Sequence, residues 1–313
     1  MGKKGPRSGS RSYWHRGRAP GMVPRIRAWA SHGKGLAGFA GYKAGMTSVL
    51  MVDDSTSPFA NQEVVTPVTV IEVPPLFIYG IVAYGNTTYG LKAIGEAVAL
   101  NAPKELSRAM TIAKKPKGTL EALLQKQGIV CLRVLAATQP TKAAFKKTPE
   151  TMEIALAGSV QEQIEEAKNI FGKEVKASDV FKAGEFIDAI AVTTGQGWQG
   201  VVTRMGVSLN PRKATGMRRH GGSIGGERQA KIMYTIPRAG QHGFQRRTDG
   251  NKRVLMVSEA KNISKEFHSY GKIKSDFVLV KGSVPGPSKR LIRLRKTFSR
   301  RAGAVKEPQV KFI

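Results

Sequence analysis

The chain has 313 residues, enough for roughly two domains with a core of their own. Lys and Arg number 51 against 22 Asp and Glu, a net charge of +29, so an anionic partner is needed to relieve self-repulsion, nucleic acid first and an anionic membrane surface second. The one cysteine, Cys131, excludes an intramolecular disulfide framework and a zinc site built from cysteines, and it suits a reducing compartment.

Residues 1–35 are Gly, Ser, Arg and Pro with scattered aromatics and no visible period, which predicts an extended basic arm that does not order alone. Residues 36–52 begin Gly-rich and end as a strand, and strands are expected at Val64–Val73 and, after Pro74 and Pro75, at Leu76–Tyr84. Residues 90–127 read as two or three short helices, one capped by Thr119. Ile129–Ala136 is strand-like, with Cys131 as a buried small hydrophobe. Met152–Ala157 reads as another strand. Ser159 and Glu162 form a capping-box pair opening a helix that Gly172 ends. Further strands are expected at Ile187–Thr194, Lys252–Val257, Asp276–Val280 and Leu291–Leu294. Many short β-branched strands argue for an all-β barrel or sandwich, against which the helical segments pack as an insertion.

No apolar leader opens the chain, and the longest uncharged stretch, 73–91, is broken by Pro and Gly, so neither a signal peptide nor a spanning helix is expected. The charge is unevenly placed. Residues 1–52 hold ten Lys or Arg and no acid. Residues 53–194 are nearly neutral, and residues 195–258 and 259–313 carry +10 each. A solvated face mixes both signs, so this segregation points to nucleic acid.

Gly195, Gly197 and Gly200 match G-x-G-x-x-G after a strand, but no acid follows until Glu227 and the next residues are β-branched. That favours a tight strand-to-strand turn over a dinucleotide site. None of the five histidines has a partner at metal-ligand spacing, and neither a nucleophile elbow nor a phosphate-binding loop is present. Acids that could do acid–base work lie in the neutral middle, away from the basic segments. An RNA-processing enzyme would bring the two together, and a membrane-surface protein would need a basic amphipathic helix where 159–171 is acidic. From Asn210 to Arg253 runs a Gly- and Arg-rich stretch with few aromatics, Tyr234 and Phe244. It is read as a finger that threads RNA by shape, its glycines allowing close backbone approach.

FAGYKAGMT (39–47), IDAIAVTTGQGWQGVVTRMGV (187–207), RAGQHGFQRRT (238–248) and SDFVLVKGSVPGPSKRLIRLRKTF (275–298) together resemble the large-subunit ribosomal protein L-three family in its archaeal/eukaryotic form. The resemblance implies a mainly β fold: a six-stranded closed β-barrel of the translation-protein type, with an α+β insertion, a long central finger and an extended basic N-terminal arm. It divides the chain into an arm (1–35), barrel (36–84), insertion (85–182), barrel (183–202), finger (203–251) and barrel completion with a basic C-terminal segment (252–313). It implies a primary rRNA binder near the 3′ end of large-subunit rRNA that nucleates assembly, with a finger reaching toward the peptidyl-transferase centre of the cytoplasmic 50S subunit. Neighbours would be the L-fourteen and L-twenty-four-e proteins. No cofactor, metal, catalytic residue, membrane or small-molecule substrate is implied.

Expected rRNA contacts are Arg25, Arg27, Lys43, Arg204, Arg212, Lys213, Arg218, Arg219, His220, Arg228, Lys231, Arg238, Gln241, His242, Arg246, Arg247, Lys289, Arg290, Arg293 and Arg295. The expected finger tip is Gly221, Gly222, Ser223, Ile224, Gly225, Gly226 and Glu227. In one respect the sequence departs from the resemblance: Glu227 stands where archaeal and eukaryotic relatives usually carry Trp.

Overall fold

The computed structural model describes residues 16–112, 118–213, 216–226, 231–233, 236–298 and 307–312. Glu227 and Arg228 lie outside the described residues. In chain order the strands are β1 (Gly35–Leu36), β2 (Gly38–Val52), β3 (Glu63–Glu72), β4 (Leu76–Thr87), β5 (Gly90–Val98), β6 (Cys131–Ala137), β7 (Thr151–Ala157) and β8 (Glu174–Val175). They continue with β9 (Phe186–Val192), β10 (Gly195–Gln199), β11 (Gly240–Gly243), β12 (Arg246–Ser258), β13 (Phe277–Lys281), β14 (Leu291–Lys296) and β15 (Val310–Phe312). Helices α1 (Leu120–Leu124), α2 (Val160–Ile170) and α3 (Val201–Met205) are short, so the fold is mainly β. The chain divides into two compact units, Gly21–Ala191 with Arg247–Ile313, and Met1–Pro20 with Val192–Arg246.

In the larger unit, hydrogen-bonded neighbours run β14, β9, β12, β13, β3, β2, and β14 also pairs with β2, so the path of six strands returns to its start. β2 makes this possible by its length. Gly38–Tyr42 pair with Arg295–Leu291 of β14, while β3 runs alongside from Tyr42 to Val52. The register shifts between Lys43 and Gly45, a bulge that bends the strand. The glycines of this strand answer to space: a Cβ on Gly41 would stand 2.6 Å from the Glu72 carbonyl oxygen. β15 adds a seventh strand to the second half of β2.

The second sheet runs β1, β7, β6, β4, β5, with β8 on β4. Two expectations are corrected here. The strand expected at Leu76–Tyr84 within the barrel segment lies in this second sheet, because β4 pairs with β6 from Phe77↔Ala137 to Tyr84↔Cys131. Residues 90–98 form a strand and not a helix: Gly90, at φ 105°, turns the chain back so that β5 pairs with β4 from Thr87↔Gly90 to Gly80↔Val98. The helix at 160–170 is as expected, with both hydrogen bonds of the Ser159–Glu162 capping box present. Buried Gln163 fixes it to the sheet, accepting from Leu132 N at 2.8 Å and donating to Gly158 O at 2.9 Å. Cys131 is only half-buried. One apolar cluster, including Ile71, Ile78, Leu132, Ile154, Ile187 and Ile292, joins both sheets.

The core also encloses the Glu72 carboxylate, which accepts hydrogen bonds from Lys274 N (2.9 Å), Ser275 N (2.8 Å), Ser275 Oγ (2.7 Å) and the Tyr270 hydroxyl. A buried charge is tolerable when it is satisfied in this way. Among the described residues no helix is long and apolar enough to cross a membrane, and no three His, Cys, Asp or Glu side chains gather as metal ligands.

Candidate nucleic-acid interface

The smaller unit has little apolar core, so backbone geometry does most of the fixing. Its two short strands, β10 and β11, pair with Gly195 opposite Gly243 and Trp198 opposite Gln241. Gly243 sits at φ 71°, where L side chains are disfavoured, and a Cβ there would run into the Thr194 carbonyl oxygen. This accounts for Gly243 within RAGQHGFQRRT. Thr193 N donates to Gln245 O at 3.0 Å, and Gln245 N to Thr193 Oγ1 at 3.2 Å, which closes the unit's neck. α3 follows Gly200 directly, where a turn between strands is expected; it is one turn of helix stopped by Gly206 at φ 70°. Gly195 and Gly197 lie on β10, and Gly200 is the N-cap residue of α3.

Arg204 is the clamp of this unit. Its Nε donates to Gln241 O at 3.0 Å and its Nη1 to Arg238 O at 2.8 Å, while Arg16 donates to the Arg204 carbonyl at 3.3 Å. Burial, with the Arg16 charge adding to it, lowers the pKa of the Arg204 guanidinium. Ala19 N also donates to Phe244 O at 2.7 Å, so residues 16–19 are laid along this unit. Further out, Asn210 N donates to Arg218 O (3.0 Å) and Arg218 Nε to Asn210 O (3.3 Å), pinching the stretch between them. Arg212, Lys213, Arg218, Arg219, His220, Lys231, Arg238 and Arg246 are exposed, as are Gly221–Gly226, and so is Arg247, the first residue of the larger unit's second segment. Gln241 and His242 are half-buried, with Gln241 Nε2 donating to Gly243 O at 3.1 Å. No described residue of this unit is acidic. Polyanion contact is what such a surface can do: exposed cations, backbone N–H groups left accessible by glycine, and no carboxylate to oppose a phosphate.

In the larger unit the expected contacts separate into two kinds. Arg25, Arg27 and Lys289 are exposed. Over 24–27 burial alternates, with Pro24 and Ile26 buried and Arg25 and Arg27 exposed, and Ala30 is buried further on. Arg293, by contrast, is 3 % exposed and does not offer the surface contact expected of it. Its Nη1 donates to Pro24 O at 2.9 Å, its Nη2 donates to Glu153 O, and burial pushes its pKa down to about 10. Arg295 turns inward too, paired with Asp188 at 2.6 Å and donating from Nη1 to Ala28 O at 2.8 Å. Lys43 Nζ donates to Val284 O (2.7 Å) and Gly286 O (2.9 Å), and burial lowers its pKa. Arg290 is half-buried, and burial lowers its pKa as well. These inward cations hold the arm and the strand ends in place, so Arg25 and Arg27 face outward.

The model of the family described as Ribosomal protein L3 matches residues 2–313. The protein named large ribosomal subunit protein uL3 of Methanococcus vannielii is 45 % identical over 325 aligned positions, covering 100 % of this chain and 95 % of its own. Proteins of the same name from Methanobrevibacter smithii (41 %) and Methanothermobacter thermautotrophicus (42 %) each cover 98 % of this chain and 96 % of their own.

Proposed function

Because the chain belongs to the ribosomal protein L3 family, we propose that it is a structural constituent of the large ribosomal subunit, bound to its rRNA and acting as scaffold and not as enzyme. The observation that carries this reading is the smaller unit: exposed Arg and Lys on a glycine-rich backbone, with no acid among its described residues. A protein that worked alone in water would be destabilised by such a surface, whereas packed phosphates neutralise it.

The finer reading follows the same line. The six-strand pairing path is the closed barrel of the translation-protein type, and the second sheet with α2 is the insertion. The smaller unit is the finger, extended toward the peptidyl-transferase centre. The barrel with its arm binds near the 3′ end of the rRNA and nucleates assembly beside the L-fourteen and L-twenty-four-e proteins. Direct contacts come from Arg25, Arg27, Lys289 and the exposed cations of the finger.

Filter binding to deproteinised large-subunit rRNA tests it. With about 10 phosphates met, log affinity falls against log salt with a slope on the order of −7 to −9. A slope shallower than about −2 contradicts the reading.

A further inference from the structure

We propose that Trp198 is a stacking site for one unpaired rRNA base. The proposal rests on the rRNA-binding reading above and adds to it a contact that phosphate charge does not provide.

Three observations lead to it. First, the indole is 78 % exposed, although a side chain of this size normally buries most of its surface. Second, the backbone is shaped to present it. Between Gly195 and Trp198 the register against β11 slips, and Gly197 sits at φ 66° within the slip. A bulge with a left-handed glycine re-aims the following side chain. The bulge is braced: Gln199 Nε2 donates to Gln196 O at 2.8 Å across Trp198, and the facing Gln241 is held through its carbonyl by Arg204 at 3.0 Å. Third, the surroundings select the partner. The described residues of this unit carry Arg and Lys and no acid, so the field at the indole draws a polyanion. A π-face among cations stacks on a nucleobase while the cations take the flanking phosphates. An apolar side chain of a neighbouring protein would gain nothing from that charge.

Four forms of the full-length chain test this against deproteinised large-subunit rRNA: wild type, Trp198→Ala, Trp198→Leu and Trp198→Phe. Trp198→Ala and Trp198→Leu weaken binding about tenfold, while Trp198→Phe stays within about threefold, since only Phe keeps a π-face. The salt slope is the same in all four, because no phosphate contact is removed. On the wild type, the emission contributed by Trp198, taken as the difference from Trp198→Phe, is quenched when rRNA is added; this needs no variant to tolerate a truncation. Unquenched Trp198 emission, or Trp198→Ala binding as tightly as wild type, overturns the stacking site and leaves the rRNA reading standing if the wild type still binds with a steep salt slope. Full affinity in Trp198→Leu overturns it too, because Leu has no π-face to stack on a base. A wild type that does not bind rRNA defeats the underlying reading as well.

Discussion

Asp188 and Arg295 form a buried ion pair, 2.6 Å from Oδ2 to Nη2, that joins β9 to β14, and the same guanidinium holds the arm through the Ala28 carbonyl. Asp188 is 5 % exposed and its other oxygen accepts from Asn251 N at 3.1 Å, so a third segment meets at the same carboxylate. Two cations of β14, Arg293 and Arg295, thus serve the interior although the composition counts them with the surface charge.

Removing one partner leaves the other charge buried without compensation. Asp188→Ala is expected to cost about 3–5 kcal/mol in urea unfolding. A loss under about 1 kcal/mol would show that the pair does not hold the strands together.

Arg293 acts on the arm more directly, through Pro24 O and the face of Trp29, whose ring centroid lies 5.4 Å from its Cζ. Arg293→Met keeps the volume and loses the hydrogen bonds. Trypsin is expected to cut after Arg25 and Arg27 several-fold faster than in wild type, because the arm opens locally more often. Unchanged cleavage would mean that burial of Ile26 and Ala30 alone secures the arm.

Much of this was legible in the sequence, and the failures have physical reasons. The capping box at Ser159 and Glu162 and most strands could be read because the interactions that decide them are local or periodic. Residues 90–98 misled because Leu91, Ile94 and Val98 also fit a helical stripe; the hairpin is decided by Gly90 and by pairing with β4, which a local pattern does not contain. Arg293 and Arg295 looked like surface charge because composition is blind to burial. A signal was present all the same: Arg293 lies within four successive buried positions of β14. Trp198 is not legible in the sequence because its exposure is set by the bulge against β11, which a local pattern does not contain.

The neck at Thr193 and Gln245 makes the smaller unit separable. Joining these residues through an Asn-Gly turn is expected to leave the larger unit folded, since their backbones already face each other at 3.0 Å in hydrogen-bonded register. Circular dichroism and a cooperative melt check it. Loss of the β signal would show that the larger unit depends on the residues removed.

The cap of α2 carries a pH dependence. Hydrogen bonds from Lys34 and from the Ser159 backbone and hydroxyl hold the Glu162 carboxyl down at about 2, against an ordinary 4.5. A carboxylate whose folded pKa is depressed stabilises the fold fully above its unfolded value and loses that contribution as pH falls through the folded one. The support from this cap is therefore lost between about pH 4.5 and 2. Following the Glu162 carboxyl by NMR is expected to give a midpoint near 2, and a midpoint near 4.5 would mean that the Lys34 and Ser159 contacts do not persist in solution. Glu162→Gln is expected to flatten the acid limb of stability in that window.

The most direct measurement is sedimentation of the tagged chain, expressed in its own organism, through a gradient of cell lysate. The expected result is one peak that coincides with the large ribosomal subunit and with whole ribosomes, and that shifts to the top of the gradient when the rRNA is digested. A chain that stays at the top beside intact subunits would contradict its place as a structural constituent of the large subunit.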